Sequence, residues 1–297
     1  MKHSRIISIL TILAVCSCLI TNPPNAGAQK NTGLTAMTLA SIENVNNSSI
    51  PSSSSTDSIN LPLQNETVNY YNNASGYLVY PAISQNESIK KLPAVVMIHE
   101  NKGLNDYIKE SANLVARNGY VVLAVDLFNG EVTTNPDRSS ALTAAIRENP
   151  ETAISNLKGA VRYLGSLDNV EATKIASLGW CFGGQQSLQL ALNSKENPLA
   201  ATVIYYGRPS NDTQAISNIS WPVLGIFGGK DQAISVDSVK QFQKALNDTG
   251  ITNEIYIYPN VGHAFANPSN DNYAPQETAD AWKKTLEFLN KYLKSPL

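Results

Sequence analysis

A small-residue turn around Cys181 is the part of the sequence best suited to chemistry. Residues 177–184 read Ser-Leu-Gly-Trp-Cys-Phe-Gly-Gly, so an apolar, strand-like run ends at a Gly-x-Cys-x-Gly turn. The same spacing around serine forms a strand-to-helix elbow, where small neighbours are needed because the backbone is strained. The residues that follow indicate a helix, which would place the sulfur at a helix N-terminus, where negative charge is favoured. A buried core cysteine is the alternative interpretation, but the flanking glycines favour a nucleophile.

His263 and Asp231 are the residues best placed to complete a nucleophile, base and acid. Thiol catalysis needs a base that moves protons and a group that orients this base. His263 stands in a Gly-His-Ala-Phe turn after a predicted strand, and Asp231 ends a Gly-Gly-Lys-Asp turn after another. Asp126 is a competing acid, although its context is more typical of a structural or turn residue. The order nucleophile, acid, histidine along the chain is the one that α/β-hydrolases use.

The elements that must position these residues alternate between strand and helix from about residue 67. This order predicts an α/β fold with a mostly parallel central sheet and helices on both faces. Ligand sites in such sheets lie beyond the carboxyl ends of the strands, and Glu100, Cys181, Asp231 and His263 all follow predicted strands. We therefore expect them at one rim. The predicted strands are 68–71, 76–80, 94–98, 120–125, 174–178, 201–206, 223–227 and 254–258; the predicted helices include 106–118, two across 138–167, and 275–293.

The bulk composition argues against an anionic macromolecular partner. The chain has 297 residues and a formal net charge of −2, with no long basic run. A chain with this charge offers no basic segment that would attract nucleic acid. We therefore expect a small-molecule substrate. His99 and Glu100 are adjacent, and no histidine pair has the spacing of metal ligands. The sequence thus predicts neither a metal nor a cofactor, and it does not predict an oligomeric state.

The N-terminal 28 residues are predicted to be an export signal. Lys2 and Arg5 precede an apolar run over residues 6–20, and residues 26–28 supply a small-x-small cleavage pattern. An uncleaved membrane anchor is one alternative, although the apolar run is shorter than the ~20 residues that span a bilayer. A lipoprotein signal with Cys18 as the lipidated residue is another. The protein is therefore expected to be exported, and either secreted or attached to the cell surface.

The next segment, residues 29–66, is dominated by Asn, Ser and Thr and shows little apolar periodicity. Such a composition is typical of a disordered tether. The folded domain is then predicted over residues 67–297. Because Cys16 and Cys18 lie in the export segment, a chain cut after Ala28 keeps Cys181 alone and cannot close an internal disulfide.

Five motifs, in order, resemble those of the dienelactone hydrolase family, whose members have the α/β-hydrolase fold. The resemblance extends over about residues 68–294. The motifs are His99-Glu-Asn-Lys-Gly103, Asp126-Leu-Phe128, Gly179-Trp-Cys-Phe-Gly-Gly184, Gly228-Gly-Lys-Asp231 and Gly262-His-Ala-Phe265.

The resemblance implies a catalytic set of Cys181, His263 and Asp231, with Glu100 beside the thiol. In this family the glutamate is held to contact the cysteine in the resting enzyme and to move when substrate binds. The implied oxyanion donors are two backbone N–H groups, one following the nucleophile and one in an early strand-end loop. These are the N–H groups of Phe182 and Asn101.

The substrate is less well defined by the resemblance. Family members that open dienelactones have an arginine shortly after the histidine motif, where this chain has Asn267, and Arg138 is only a loose match to a second family arginine. Weaker candidates for the pocket are Trp180, Tyr206 and Phe265. The predicted function is an exported hydrolase that opens an ester or lactone through a cysteine-bound acyl intermediate. The alternatives are another thiol acyl-transfer enzyme, such as a peptidase or acyltransferase, and a non-catalytic binding protein with the same fold.

Overall fold

The computed structural model describes residues 62–82 and 91–294. Eight strands and seven α-helices lie in these ranges, and a short π-helical turn, Asn290–Lys294, follows the last α-helix. The strands are β1 (Leu63–Tyr71), β2 (Ala74–Pro81), β3 (Leu92–Ile98), β4 (Val121–Val125), β5 (Val170–Trp180), β6 (Ala201–Tyr205), β7 (Val223–Gly228) and β8 (Asn253–Tyr258). The helices are α1 (Asp106–Arg117), α2 (Pro136–Glu148), α3 (Pro150–Gly165), α4 (Phe182–Leu192), α5 (Thr213–Ile216), α6 (Val236–Asp248) and α7 (Pro275–Leu289).

All eight strands form one sheet in the order β1-β2-β4-β3-β5-β6-β7-β8. β1 and β2 form an antiparallel hairpin, and β2 also pairs antiparallel with β4. From β4 to β8 every neighbouring pair is parallel. The mostly parallel sheet predicted from the sequence is confirmed.

Helices cover both faces of the sheet because its central strands are apolar on both sides. Every residue of β4 is fully buried, as are Ala94–Ile98 of β3, which matches the continuous apolar runs of parallel strands. On one face α3, α4 and α6 pack against the sheet, and on the other face α1 and α7 do so. The helix residues of the two cores include Leu157, Leu188 and Phe242 on the first face, and Ile108, Val115 and Leu286 on the second.

The parallel strands bring the predicted site residues to one rim. Glu100 follows the end of β3, Cys181 follows β5, Asp231 follows β7, and His263 lies in the turn after β8. Parallel strands end on the same side of a sheet, so all four residues begin from its carboxyl edge.

The folded part begins earlier than residue 67. β1 starts at Leu63, and Gln64 to Thr67 pair through the backbone with Tyr80 to Tyr77 of β2. These residues are exposed, so their side chains carry no apolar alternation from which a strand could be predicted. The export segment and residues 29–61 of the predicted tether lie outside the described residues. Within the ranges that are described, no helix is both long enough and apolar enough to cross a membrane.

Candidate active site

Cys181 sits at the apex of a strained turn between β5 and α4. Its backbone has φ 55° and ψ −116°, a conformation that residues other than glycine rarely adopt. Its N–H donates to Tyr205 O at 3.0 Å, which ties the turn to β6. A Cβ on Gly179 would overlap the backbone of Gly183, and a Cβ on Gly183 would overlap the carbonyl oxygens of residues 98 and 99. The glycines are therefore required by close backbone approach, and the turn holds the sulfur away from the sheet.

The imidazole of His263 lies between Cys181 and Asp231. Its Nε2 is 3.1 Å from Cys181 Sγ, and its Nδ1 is 2.8 Å from Asp231 Oδ2. Cys181 and His263 are partly exposed, whereas the Asp231 side chain is fully buried. The three side chains thus form one line, with the buried carboxylate behind the ring and the sulfur in front.

The pKa values of His263 and Asp231 shift in the directions that favour a protonated imidazole beside an ionised carboxylate. Burial alone would lower the pKa of His263, but hydrogen bonds with Asp231 and Cys181 outweigh burial and raise that pKa to about 10. Burial also opposes ionisation of Asp231, yet the hydrogen bond from His263 and those from backbone N–H groups lower the pKa of its carboxyl. The ring therefore holds a proton beside the sulfur at neutral pH.

The turn after β7 fixes the Asp231 carboxylate. Oδ1 accepts from the backbone N–H groups of Ala233 and Ile234 at 2.7 and 3.0 Å, which leaves Oδ2 to face the imidazole. Asp126, the competing acid, accepts instead from N–H groups of its own turn, those of Phe128 and Gly130. Its structural role agrees with the interpretation drawn from its context.

Glu100 is buried and is held by Asn267. Glu100 is only 4% exposed, and its Oε2 accepts a short hydrogen bond from Asn267 Nδ2. Burial raises the pKa of Glu100, and the hydrogen bond from Asn267 opposes this only in part. Among the described residues, the hydrogen-bond partner of Cys181 Sγ is His263 and not Glu100. The contact between glutamate and thiol that the resemblance implied is therefore not seen here, because Asn267 engages the carboxyl.

His99 has a structural role beneath the rim. It is fully buried, and its Nδ1–H donates to the carbonyl oxygen of Glu100 at 2.6 Å while Nε2 accepts from Leu127 N at 3.1 Å. Burial lowers the pKa of its imidazole, so the ring is neutral. It joins the ends of β3 and β4 and supports the loop that carries Glu100.

The backbone donors expected for an oxyanion start from suitable positions. Phe182 is the first residue of α4, so its N–H has no helical carbonyl partner. Asn101 lies in the turn directly after β3, next to Glu100. Both positions lie at the rim that carries Cys181.

The four candidates for substrate contact lie in very different surroundings. Arg138 is exposed, and its Nε and Nη2 both donate to Glu131 at 2.5 Å, so its charge is paired on the surface. Trp180 and Phe265 are almost fully buried among core aromatic rings. Tyr206 is also buried, but its ring contacts that of His263 at a centroid distance of 5.2 Å. Of the four, Tyr206 is the residue whose ring contacts the imidazole of His263.

No metal site accompanies this arrangement in the part of the chain that the structure describes, where no group of three or more His, Cys, Asp or Glu side chains could hold an ion. A thiol, an imidazole and a carboxylate in this order are the groups that nucleophilic acyl chemistry uses.

A family model for the dienelactone hydrolase family matches residues 76–293, which is most of the chain. The chain belongs to the dienelactone hydrolase family. "Protein usf" of Aquifex pyrophilus is 30% identical, with 68% of this chain and 89% of that protein covered. A Methylorubrum extorquens protein named "Putative carboxymethylenebutenolidase" is 27% identical over 67% of this chain and 72% of its own length. Membership assigns this chain to a family of hydrolases.

Solved structures agree on the fold of this dienelactone hydrolase-like protein. A dienelactone hydrolase-like promiscuous phosphotriesterase from metagenomic libraries superposes with a TM-score of 0.69 at 22% identity, covering 77% of this chain and 98% of that one. The predicted α/β-hydrolase fold is thereby confirmed.

Asn267 is the residue whose role the sequence did not reveal. It stands four positions after His263, where family members that open dienelactones have arginine, and this difference was the only signal at the position. Its side-chain Oδ1 accepts from the N–H and the hydroxyl of Ser269, both at 2.8 Å, which turns Nδ2 toward Glu100. The Asn-x-Ser spacing is the signal that could have indicated a fixed amide.

Proposed function

We propose that this protein hydrolyses esters or lactones through an acyl intermediate on Cys181. The observation that supports it best is the position of the His263 ring, 3.1 Å from Cys181 Sγ and 2.8 Å from Asp231 Oδ2. A base that reaches both the nucleophile and an orienting carboxylate is the arrangement that acyl transfer needs.

In the first half of the proposed reaction, Sγ attacks the carbonyl carbon of the ester. The carbonyl oxygen gains negative charge and is received by the N–H groups of Phe182 and Asn101. The bond to the alkoxy oxygen breaks as His263 gives that oxygen its Nε2 proton. The products of this half are an alcohol and a thioester, and the imidazole is neutral.

In the second half, His263 takes a proton from water as the water oxygen attacks the thioester carbon. Collapse of this adduct breaks the carbon–sulfur bond and releases the acid. The sulfur regains its negative charge beside a protonated ring, so the starting state is restored. Asp231 keeps the ring in position and favours its protonated form in both halves.

Intact-mass measurement with a panel of activated esters, lactones and short peptides tests this proposal. The wild-type protein should gain the mass of one acyl group, and Cys181→Ala should gain none and lose at least ~10³-fold in turnover. Wild-type turnover by Cys181→Ala would contradict the nucleophile assignment. Adducts from peptides alone would favour a thiol peptidase, and no adduct on a folded protein would favour a binding protein.

We also propose that the protein acts outside the cytoplasm. The basic residues, apolar run and small-x-small pattern at the N-terminus support export. The mass of the protein recovered from its native membrane and secreted fractions tests this. A chain that begins at Gln29 supports cleavage, a lipid on Cys18 supports anchoring, and an unprocessed cytoplasmic chain contradicts export.

A further inference from the structure

A cavity of about 550 Å³ lies at the carboxyl rim of the sheet, and His263 is part of its wall. Three segments form this cavity, the polar groove: the turn after β7, the turn after β8, and the chain just before α7. Its volume lies within the ~300–1,000 Å³ that is typical of small-molecule sites. Besides His263, the polar side chains of its wall are Lys230, Gln232, Asn260, Asp271, Asn272 and Tyr273.

The three segments of the polar groove are joined to one another by hydrogen bonds. The backbone N–H of Lys230 donates to Val261 O at 2.9 Å, which connects the first segment to the second. Asn272 Nδ2 donates to His263 O at 3.0 Å, which connects the third segment to the second. The wall is therefore formed by contacts within the protein and does not need a ligand to assemble it.

Several polar side chains of the groove are free to bind a ligand. Within the described residues, the carboxamide of Asn260 and the hydroxyl of Tyr273 make no hydrogen bond, and Lys230 and Asp271 form no ion pair. Lys230, Asn260 and Asp271 are also exposed, so water meets their hydrogen-bonding needs. A ligand that displaces this water must supply hydrogen bonds in its place.

The position of the groove relates it to one part of an ester. His263 belongs to the wall, and 28% of its side chain is exposed. In the proposed reaction His263 Nε2 gives its proton to the alkoxy oxygen, so the alcohol part of the ester begins next to this ring. Cys181 and the carbonyl-binding N–H groups of Phe182 and Asn101 are not part of the wall. The groove is therefore placed for the alcohol part and not for the acyl part.

The chemistry of the wall selects hydroxyl groups. Lys230 can only donate hydrogen bonds and Asp271 can only accept them, whereas the carboxamides do both. A hydroxyl group also does both, so it can pair with any of these side chains. Because Lys230 and Asp271 carry opposite charges, a cation or an anion in the groove would meet a like charge. An alkyl group would displace water without replacing its hydrogen bonds.

We propose that the polar groove is the subsite for the alcohol part of the substrate, and that this alcohol is a neutral polyol such as a sugar. This inference rests on the proposed function and adds a substrate class to it: esters whose acyl part is transferred to Cys181 and whose alcohol carries several hydroxyl groups. His263 protonates the alkoxy oxygen, and the polyol is released from the groove.

Methyl 6-O-acetyl-α-D-glucopyranoside and cyclohexylmethyl acetate test the subsite. They share the acyl group and a six-membered ring on the ester methylene, but only the glucoside carries hydroxyl groups. With each kcat/KM divided by the rate constant for hydroxide hydrolysis of the same ester, wild-type protein should prefer the glucoside about tenfold. Equal corrected values would overturn the subsite. Acetylcholine and acetoxyacetate supply a cationic and an anionic alcohol, and a preference for either over the glucoside would overturn the assignment to a neutral polyol.

Asn260→Ala and Gln232→Ala should each reduce the preference for the glucoside, and the double variant should bring it most of the way to unity. Both residues are exposed, so these changes remove hydrogen-bonding groups from the wall without opening the core. Gln214→Ala is the matched control, because Gln214 is equally exposed but lies outside the groove; it should leave the preference as it is. A preference that survives in the folded double variant would overturn the proposal.

The failure of this subsite is distinguishable from failure of the proposed function. Phenyl acetate carries the same acyl group on an alcohol without further hydroxyls. If phenyl acetate acetylates Cys181 but the glucoside is not preferred, the subsite is wrong and the hydrolase proposal stands. If the folded protein neither hydrolyses any of these acetates nor forms an adduct with one, the proposed function is wrong, and the subsite is wrong as well.

Discussion

His263 connects the reacting sulfur to the buried carboxylate through its two ring nitrogens. The distances of 3.1 and 2.8 Å leave no room for an intervening atom. Asp231 in turn depends on two backbone N–H groups for its orientation. Replacing one carboxylate oxygen of Asp231 by nitrogen should therefore alter the hydrogen bonding of the His263 ring, and through the ring that of the sulfur.

Asp231→Asn should lower kcat/KM for activated esters by about 10²- to 10⁴-fold, because a neutral amide neither favours the imidazolium nor selects the correct tautomer. The measurement is steady-state hydrolysis by wild-type and variant protein, with the melting temperature recorded for both. Asp126→Asn is the control for loss of a carboxylate near the rim, since Asp126 serves its own turn. A variant within threefold of wild type would remove Asp231 from the mechanism.

The lowered pKa of Asp231 also predicts a pH dependence of stability. A carboxyl whose folded pKa lies below its ordinary value of 3.8 stabilises the fold above that value, and the contribution is lost as pH falls through the folded pKa. Because Asp231 also raises the pKa of His263, the difference in free energy of unfolding between wild type and Asp231→Asn should be at least as large at pH 5 as at pH 7, and it should shrink below about pH 4. Urea unfolding at pH 7, 5 and 3.5 measures it. A constant difference across this range would contradict the shift.

At the scale of elements, the turn between β5 and α4 determines where the sulfur stands. Gly183 lies against the backbone at the end of β3, so this turn is packed onto the loop that carries Glu100. The geometry of the site therefore depends on backbone contacts as much as on the side chains themselves.

Gly183→Ala should cost more than about 3 kcal/mol of unfolding free energy, because its Cβ would overlap two backbone carbonyls that cannot move independently. Gly250→Ala is the matched control: Gly250 has φ 74° with open space around it, so only the conformational cost of about 1 kcal/mol applies. Chemical denaturation compares the two. Similar losses for both variants would show that the close approach at Gly183 does not matter.

Helix α6 has clear sequence signals, although it is not among the predicted helices. Val239, Phe242 and Leu246 recur at helical spacing, and the Ser235 side chain caps the helix by accepting from Ser238 N. The segment follows the Asp231 motif, and it is not among the helices predicted from the sequence. By contrast, the strands of the sheet could be predicted, because their apolar runs are bounded by turn residues.

For the whole molecule, the rim residues could be predicted because cysteine, aspartate and histidine each followed a strand in a small-residue turn. The position of Asn267 was harder to predict, since its role depends on which polar side chains meet after packing. That property exists only in three dimensions: the Asn267 amide follows its histidine by four residues yet meets a glutamate 167 residues away. The start of β1 was missed for a related reason, because its first residues pair through backbone atoms alone.

The isolation of Cys181 has a consequence for how this protein responds to oxidants. Within residues 62–82 and 91–294 it is the sole cysteine, and it is a free thiol, so no cross-link contributes to the stability of this domain. Peroxide should therefore abolish ester turnover by converting the sulfur to a sulfenic acid while the melting temperature stays within about 2 °C, and thiol reductants should restore activity. Activity and folding would then be separable by redox conditions alone.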